Sequence, residues 1–201
     1  MTPKDILPKW TIDTSKYLVD DKYLKLRLDS CTTPEGGKVE KYYVFEYGDW
    51  VNCIAIDDED NVIMLNHYRH GVQKYLMEFI GGGMEKGESA ENTAKRELTE
   101  EAGYTGGSLF HVGSSYANPA THTNQVHTYL AVGGKITQAQ NLEVGETIHV
   151  HKVPFKTVIE EMSRQDSVYP AIFIAALFHV INFIRTSNDP ALQHLKQYVI
   201  S

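Results

Sequence analysis

Between Glu78 and Glu101 the chain sets seven glutamates (Glu78, Glu85, Glu88, Glu91, Glu97, Glu100, Glu101) against three basic residues (Lys86, Lys95, Arg96). That is a local charge of −4 in a protein of net charge −7. Gly81, Gly82, Gly83 and Gly87 exclude regular structure from the first half of this stretch. Ser89 suits a helix N-cap, and Ala90, Ala94 and Leu98 recur four apart as a buried stripe. Gly103 suits a left-handed helix end. The expected unit is therefore a glycine loop, a short helix and a second loop. Glu97 shares a helix face with Glu100 (i,i+3) and Glu101 (i,i+4). At an effective dielectric near 20, two such charges about 4 Å apart repel by roughly 4 kcal/mol. A solvated face with Arg96 paired to Glu100 relieves part of that. A divalent cation removes it, and hard oxygen donors without a companion Cys or His pair point to Mg²⁺ or Mn²⁺.

The remaining composition narrows the class. At 201 residues, 42% hydrophobic and 22% charged, the chain is expected to form one soluble globular domain, with room for an extension. Its acidity argues against a nucleic-acid or anionic-membrane surface as partner. Cys31 and Cys53 are too few for a disulfide framework or a cysteine-rich zinc site. Residues 1–10 lack an apolar core of signal-peptide length, and the greasiest run, 171–184, is short for a membrane span. A cytoplasmic location is expected.

Alternation of Leu24, Leu26 and Leu28, the turn 33–37, and alternation of Val39, Tyr43, Phe45 and Tyr47 predict an antiparallel hairpin region over 17–48. Strands are expected at 50–56, 62–67, 74–79, 126–132 and 148–153. A helix is expected from Ser89 to about Ala102, and a helical tail over 155–165, 169–186 and 190–199. The fold class is α/β. The domain reading is an N-terminal β extension at 1–48 followed by a second domain at 49–201.

Gly82, five residues, Glu88, seven residues, then Arg96-Glu97-Leu98-Thr99-Glu100-Glu101-Ala102-Gly103-Tyr104 matches the Nudix box in every charged position. Seven residues fixed at set spacing arise by chance on the order of 10⁻⁸ per start point. Tyr104 stands where the family usually has an aliphatic residue. The chain thus resembles Nudix hydrolases. The resemblance implies an α/β/α sandwich with a mixed sheet and hydrolysis of a nucleoside diphosphate linked to another moiety. It implies Glu97, Glu101 and the Gly81 carbonyl as metal ligands, with Glu100 joining them. Arg96 would orient the carboxylates and pair with Glu88, while Gly82 and Gly103 let the backbone turn.

Three further features resemble ADP-ribose and ADP-sugar pyrophosphatases. His67-Tyr68-Arg69 stands for a Gln-Tyr-Arg-like segment. Glu78-Phe79-Ile80-Gly81-Gly82 stands for Glu-Leu-Pro-Ala-Gly, with Ile80 in place of proline. Pro119 lies 16 residues beyond Gly103, at the position of a marker proline. The implied substrate contacts are Arg69, Glu78 and Pro119, and the implied assembly is a homodimer built on the N-terminal strands. A glutamate common after that proline is Asn124 here, and an amide is no general base. The loop 141–146 then offers Glu146 first and Glu143 second. A base-stacking aromatic is expected among Tyr42, Tyr43, Tyr47, Trp50 and Tyr68. His122, His127, His149 and His151 read as polar side chains rather than metal ligands. The expected activity is pyrophosphate hydrolysis in a nucleotide sugar, first ADP-ribose. GDP-mannose or a similar compound is the alternative substrate, and a non-catalytic nucleotide-sensing module the alternative class.

Overall fold

The computed structural model describes residues 7–199, which fall into two compact units. The first contains the described residues up to Gly48 and, from far along the chain, Tyr116–Asn124. Its core element is an antiparallel sheet of β1 (Thr11–Asp20), β2 (Lys25–Thr32) and β3 (Lys38–Glu46), in that order. The expected hairpin region is therefore three strands, beginning six residues before position 17. The register of β1 on β2 shifts between Ile12 and Thr14 and again between Tyr17 and Val19. Each bulge resets the two-residue period, so β1 shows no sustained alternation to read. Arg27 joins β2 to β3 by an ion pair with Glu46 and also pairs with Asp29 on its own strand. The segment 116–124 is held by backbone bonds: Phe45 N–H donates to Thr121 O (2.7 Å) and Thr123 N–H to Phe45 O (3.1 Å).

The second unit is built on a mixed sheet. Its strands are β4 (Trp50–Asp57), β5 (Asn61–Arg69), β6 (Lys74–Glu78), β7 (Tyr104–Thr105), β8 (Ser108–Tyr116), β9 (Gln125–Ile136) and β10 (Ile148–Pro154). The order runs β10-β5-β4-β9-β7, with β6 on β5 and β8 on β9. β4 and β9 pair in parallel over Trp50–Asp57, while β5 runs antiparallel to both β10 and β6. Val51 to Asp57 are all buried, which explains a continuous rather than alternating apolar run. Val51, Cys53 and Ala55 pack with α1 (Ala90–Ala102). Ile54 and Ile56 pack with α2 (Phe155–Ser163), α3 (Ala171–Thr186) and a closing 3₁₀ helix (Pro190–Tyr198). Helices thus cover both faces, which is the expected α/β/α sandwich. Among the described residues no single helix is long and apolar enough to cross a membrane, and α3 meets the 3₁₀ helix at a bend of 114°.

β8 is a strand that the sequence reading missed. Its stretch Ser108–Tyr116 carries His111, Gly113, Ser114 and Ser115, which dilute any strand signal. Gly113 is there for space, since a Cβ would collide with the His179 ring on α3.

Tyr104 departs from the aliphatic residue usual at its position for a reason visible in the core. It is 2% exposed, and its hydroxyl donates to Ile56 O (2.9 Å) and accepts from Gly134 N–H (2.8 Å). Burial pushes the phenol up to about 12. Tyr104→Phe leaves two buried backbone groups without that partner. We expect a loss of about 2 kcal/mol in a urea melt, with catalytic constants retained.

Candidate active site

The glycine loop and α1 fold together because each satisfies the other. Ser89 Oγ accepts from Asn92 N–H (3.2 Å) at the N-cap, and Gly103 ends α1 at φ 61° with its N–H directed to Leu98 O and Thr99 O. The loop returns beside β4 through Val51 N–H to Gly82 O (2.9 Å) and Cys53 N–H to Ile80 O (2.7 Å). The buried face of α1 carries Ala94, Leu98 and Ala102, and with them Glu97 and Glu101. Helical periodicity thus drives two carboxylates under the surface along with the apolar stripe.

Gly81 and Arg96 hold these acids in place. Gly81 N–H donates to Glu101 Oε2 (2.8 Å). Arg96 Nη1 donates to Glu97 Oε1 (2.7 Å) and Glu100 Oε2 (3.1 Å). Its Nε and Nη2 reach Glu88 (both 3.2 Å), and Nη2 also reaches Gly83 O (3.1 Å). The Arg96–Glu88 pair and the Arg96–Glu100 pair expected as alternatives are both present. Gly82 is not among the left-handed glycines; what it provides is space, because a Cβ there would collide with the Glu97 carboxylate.

The electrostatics divide the acids into two kinds. Arg96 holds Glu88 down to about 2. Burial pushes Glu101 up to about 8, against the Gly81 N–H, with Glu97 and Glu146 adding repulsion. Burial also raises Glu97, against the pull of Arg96. Two buried carboxylates that resist ionisation, with a third beside them, are hard-oxygen donors that share one guanidinium, Arg96. That chemistry fits a divalent cation, with Glu97, Glu100 and Glu101 as the residues to hold it. The Gly81 group bonded to these acids is its N–H.

Arg69 and Glu78 meet across β5 and β6. Arg69 Nε lies 3.0 Å from both carboxylate oxygens of Glu78, and Nη2 lies 2.6 Å from Oε2. Both residues line a cavity of about 560 Å³, together with Gly81, Gly82 and Gly83 of the loop. Its other walls are mostly apolar, with Trp50 and Val51 of β4, Val72, Leu76, Pro170, Ile172 and Phe173, and Asn52 and His70 as the polar exceptions. Of the five aromatic candidates, Trp50 is the one on this cavity. Tyr42, Tyr43 and Tyr47 belong to the first unit, and Tyr68 packs on Tyr75 and His70. The part of the wall from α3 and its approach had no sequence signal, being brought in from 120 residues away by the Asn52 Nδ2 bond to Ile172 O (3.3 Å).

Glu146 stands in its own turn, its N–H donating to Glu143 O (3.0 Å) and its Oε2 accepting from Glu143 N–H (2.8 Å). It is near enough to raise Glu97 and Glu101 electrostatically. Pro119 is exposed in a turn of the first unit. Asn124 is buried, with neither side-chain atom hydrogen-bonded. Among the described residues no three His, Cys, Asp or Glu side chains, the box glutamates included, stand together as a ready-formed metal cluster. His149 and His151 are exposed on β10, and His122 stacks on Phe45 and Tyr47.

Comparison with known proteins covers nearly the whole chain. Residues 47–172 match the NUDIX domain, and residues 10–45 match the nucleoside diphosphate sugar hydrolase N-terminal domain. An ADP-ribose pyrophosphatase of Bacillus subtilis (strain 168) is 29% identical over 151 residues, 75% of this chain and 80% of that protein. A methanol dehydrogenase activator of Bacillus methanolicus is 27% identical over 168 residues, 83% of this chain and 89% of that protein. A solved structure described as an ADP compounds hydrolase superposes with a TM-score of 0.78 at 21% identity, covering 90% of this chain and 97% of that one. That last likeness speaks to the fold.

Proposed function

Because this chain belongs to the Nudix family, we propose that it is a Mg²⁺- or Mn²⁺-dependent pyrophosphatase that cleaves a nucleoside diphosphate sugar, ADP-ribose first among them. The products are a nucleoside monophosphate and a sugar phosphate. One observation carries the reading: the buried Glu97 and Glu101, with Arg96 bonded to the first alone, adjoin the loop that also lines a largely apolar cavity with an arginine on its rim. Phosphates need positive charge, and a nucleobase needs a flat apolar wall. The relative named as an ADP-ribose pyrophosphatase supports the choice of substrate.

A bound divalent cation supplies charge neutralisation and polarisation of the phosphoryl oxygens. Glu97, Glu100 and Glu101 hold it in this reading. Arg96 fixes the rotamers of Glu97 and Glu100 through Nη1 and is itself anchored on Glu88 and Gly83 O. Arg69 takes a substrate phosphate from the cavity side. Glu146 accepts the proton of the attacking water, leaving its turn with Glu143 to do so. The N-terminal β extension at 1–48 builds a homodimer, Pro119 contributes to the substrate contacts, and the protein works in the cytoplasm.

A substrate panel tests the reading. With Mg²⁺ present and a coupled phosphatase, ADP-ribose is expected to release phosphate fastest; preference for GDP-mannose would move the assignment to that substrate, and no turnover of any nucleotide sugar would end it. Glu146→Gln is expected to lower kcat about 10²-fold while changing Mg²⁺ affinity little. A larger loss from Glu143→Gln would exchange the two roles.

A further inference from the structure

A phosphate that reaches Arg69 meets a guanidinium already spoken for. Glu78 is 2% exposed and holds it through three short contacts, of 3.0, 3.0 and 2.6 Å. A phosphate that draws Nε and Nη2 of Arg69 away from Glu78 strips a buried carboxylate of its cation, and such a group is costly to leave alone. The strand register places one further polar group beside it. His67 and Arg69 lie on the same face of β5, and Glu78 of β6 pairs opposite Leu65 on that face. His67 is buried, its Nδ1 has no hydrogen bond, and Glu78 Oε2 lies 3.8 Å away. That separation is about 1 Å beyond a hydrogen bond. Such an orphaned ring nitrogen in a packed core calls for an explanation.

We infer that His67 is a positioning residue which receives the Glu78 carboxylate when Arg69 turns to a substrate phosphate. The buried charge passes from a guanidinium to an imidazole N–H, so that it is never without a donor. Burial and the nearby Arg69 charge keep the imidazole below its ordinary range, so at neutral pH it carries one N–H, which the hand-over puts on Nδ1. The remaining charges about it are Glu78 and Glu146. This device rests on the proposed phosphate role of Arg69.

Steady-state kinetics with ADP-ribose and Mg²⁺ test it on the full chain. His67→Leu deprives Glu78 of its second donor, so Arg69 stays bound to it. KM is expected to rise about tenfold with kcat within about twofold. His67→Gln, whose amide N–H can reach the same carboxylate, is expected to restore most of KM. In a Glu78→Gln background, where no charge needs a donor, His67→Leu is expected to add nothing. An unchanged KM in His67→Leu, equal loss in both His67 variants, or additivity with Glu78→Gln would overturn the hand-over. If His67→Leu fails to fold, ¹⁵N NMR of the wild-type imidazole decides. Addition of α,β-methylene-ADP-ribose should shift Nδ1 and protect its proton, and a still signal overturns the inference. Wild-type turnover without any His67 effect defeats the hand-over alone; a wild type inert toward every nucleotide sugar defeats the functional reading beneath it.

Discussion

Glu101→Gln is expected to reduce turnover of ADP-ribose by roughly 10³-fold, because a cation that stabilises a phosphoryl transition state is worth several kcal/mol and Glu101 is the deepest of its proposed holders. The side chain is 3% exposed and its volume is conserved by glutamine, so the fold should persist. The same carboxyl has a pH signature. Burial raises it from 4.5 to about 8, so in the metal-free protein it keeps its proton at neutrality. Mg²⁺ binding must then expel that proton. Titration calorimetry at pH 7 in buffers of different ionisation enthalpy should detect close to one proton released in the wild type and almost none in Glu101→Gln. Metal affinity should fall as pH drops below about 8.

Stability runs the other way. A carboxyl whose folded value lies above its unfolded one leaves stability unimpaired below about 4.5 and erodes it as pH climbs toward 8. With chelator present at pH 9, Glu101→Gln is therefore expected to melt higher than the wild type, on the order of 5 °C. Equal melting temperatures together with near-normal turnover would remove Glu101 from the metal site.

The second large effect separates two adjacent glycines. Gly82→Ala is expected to cut turnover about 10²-fold with little change in melting temperature. Gly81→Ala is expected to destabilise the fold by about 3 kcal/mol. The added methyl meets different matter in the two cases. At Gly82 it collides with the Glu97 carboxylate, the far end of a side chain that can swing away and lose its place on Arg96. At Gly81 it collides with the Val51 carbonyl, and Asn52 Cα is 3.2 Å away, so the backbone of β4 would have to move. Neither glycine has a positive φ, so conformational freedom is not the explanation at either site. Activity assays and thermal melts on both variants check the contrast, and a shared pattern of effects would refute it.

Local signals carried much of the fold. The α1 boundaries, Ser89 as cap and Gly103 as stop are short-range effects of backbone geometry, and they are where the spacing put them. β4, β5, β6, β9 and β10 were legible because apolar runs and turn residues reflect burial directly. β1 and β8 were not. Bulges broke the period of the first, and a glycine required by a histidine 66 positions later weakened the second. The closing helix was legible as a helix, but its 3₁₀ winding was not.

The site divides along the same line. That Glu97 and Glu101 share one face, and that Arg96 is near Glu88 and Glu100, follows from chain geometry over at most eight residues. The sequence alone therefore determined the acidic helix, its caps and its family. Only the tertiary structure decided that Glu78 occupies Arg69, that His67 waits unbonded beside them, and that Trp50, Ile172 and Phe173 wall one cavity. Those meetings depend on sheet register and on α3 crossing the far face of the sheet. Contacts between distant segments leave no period in the residues that make them.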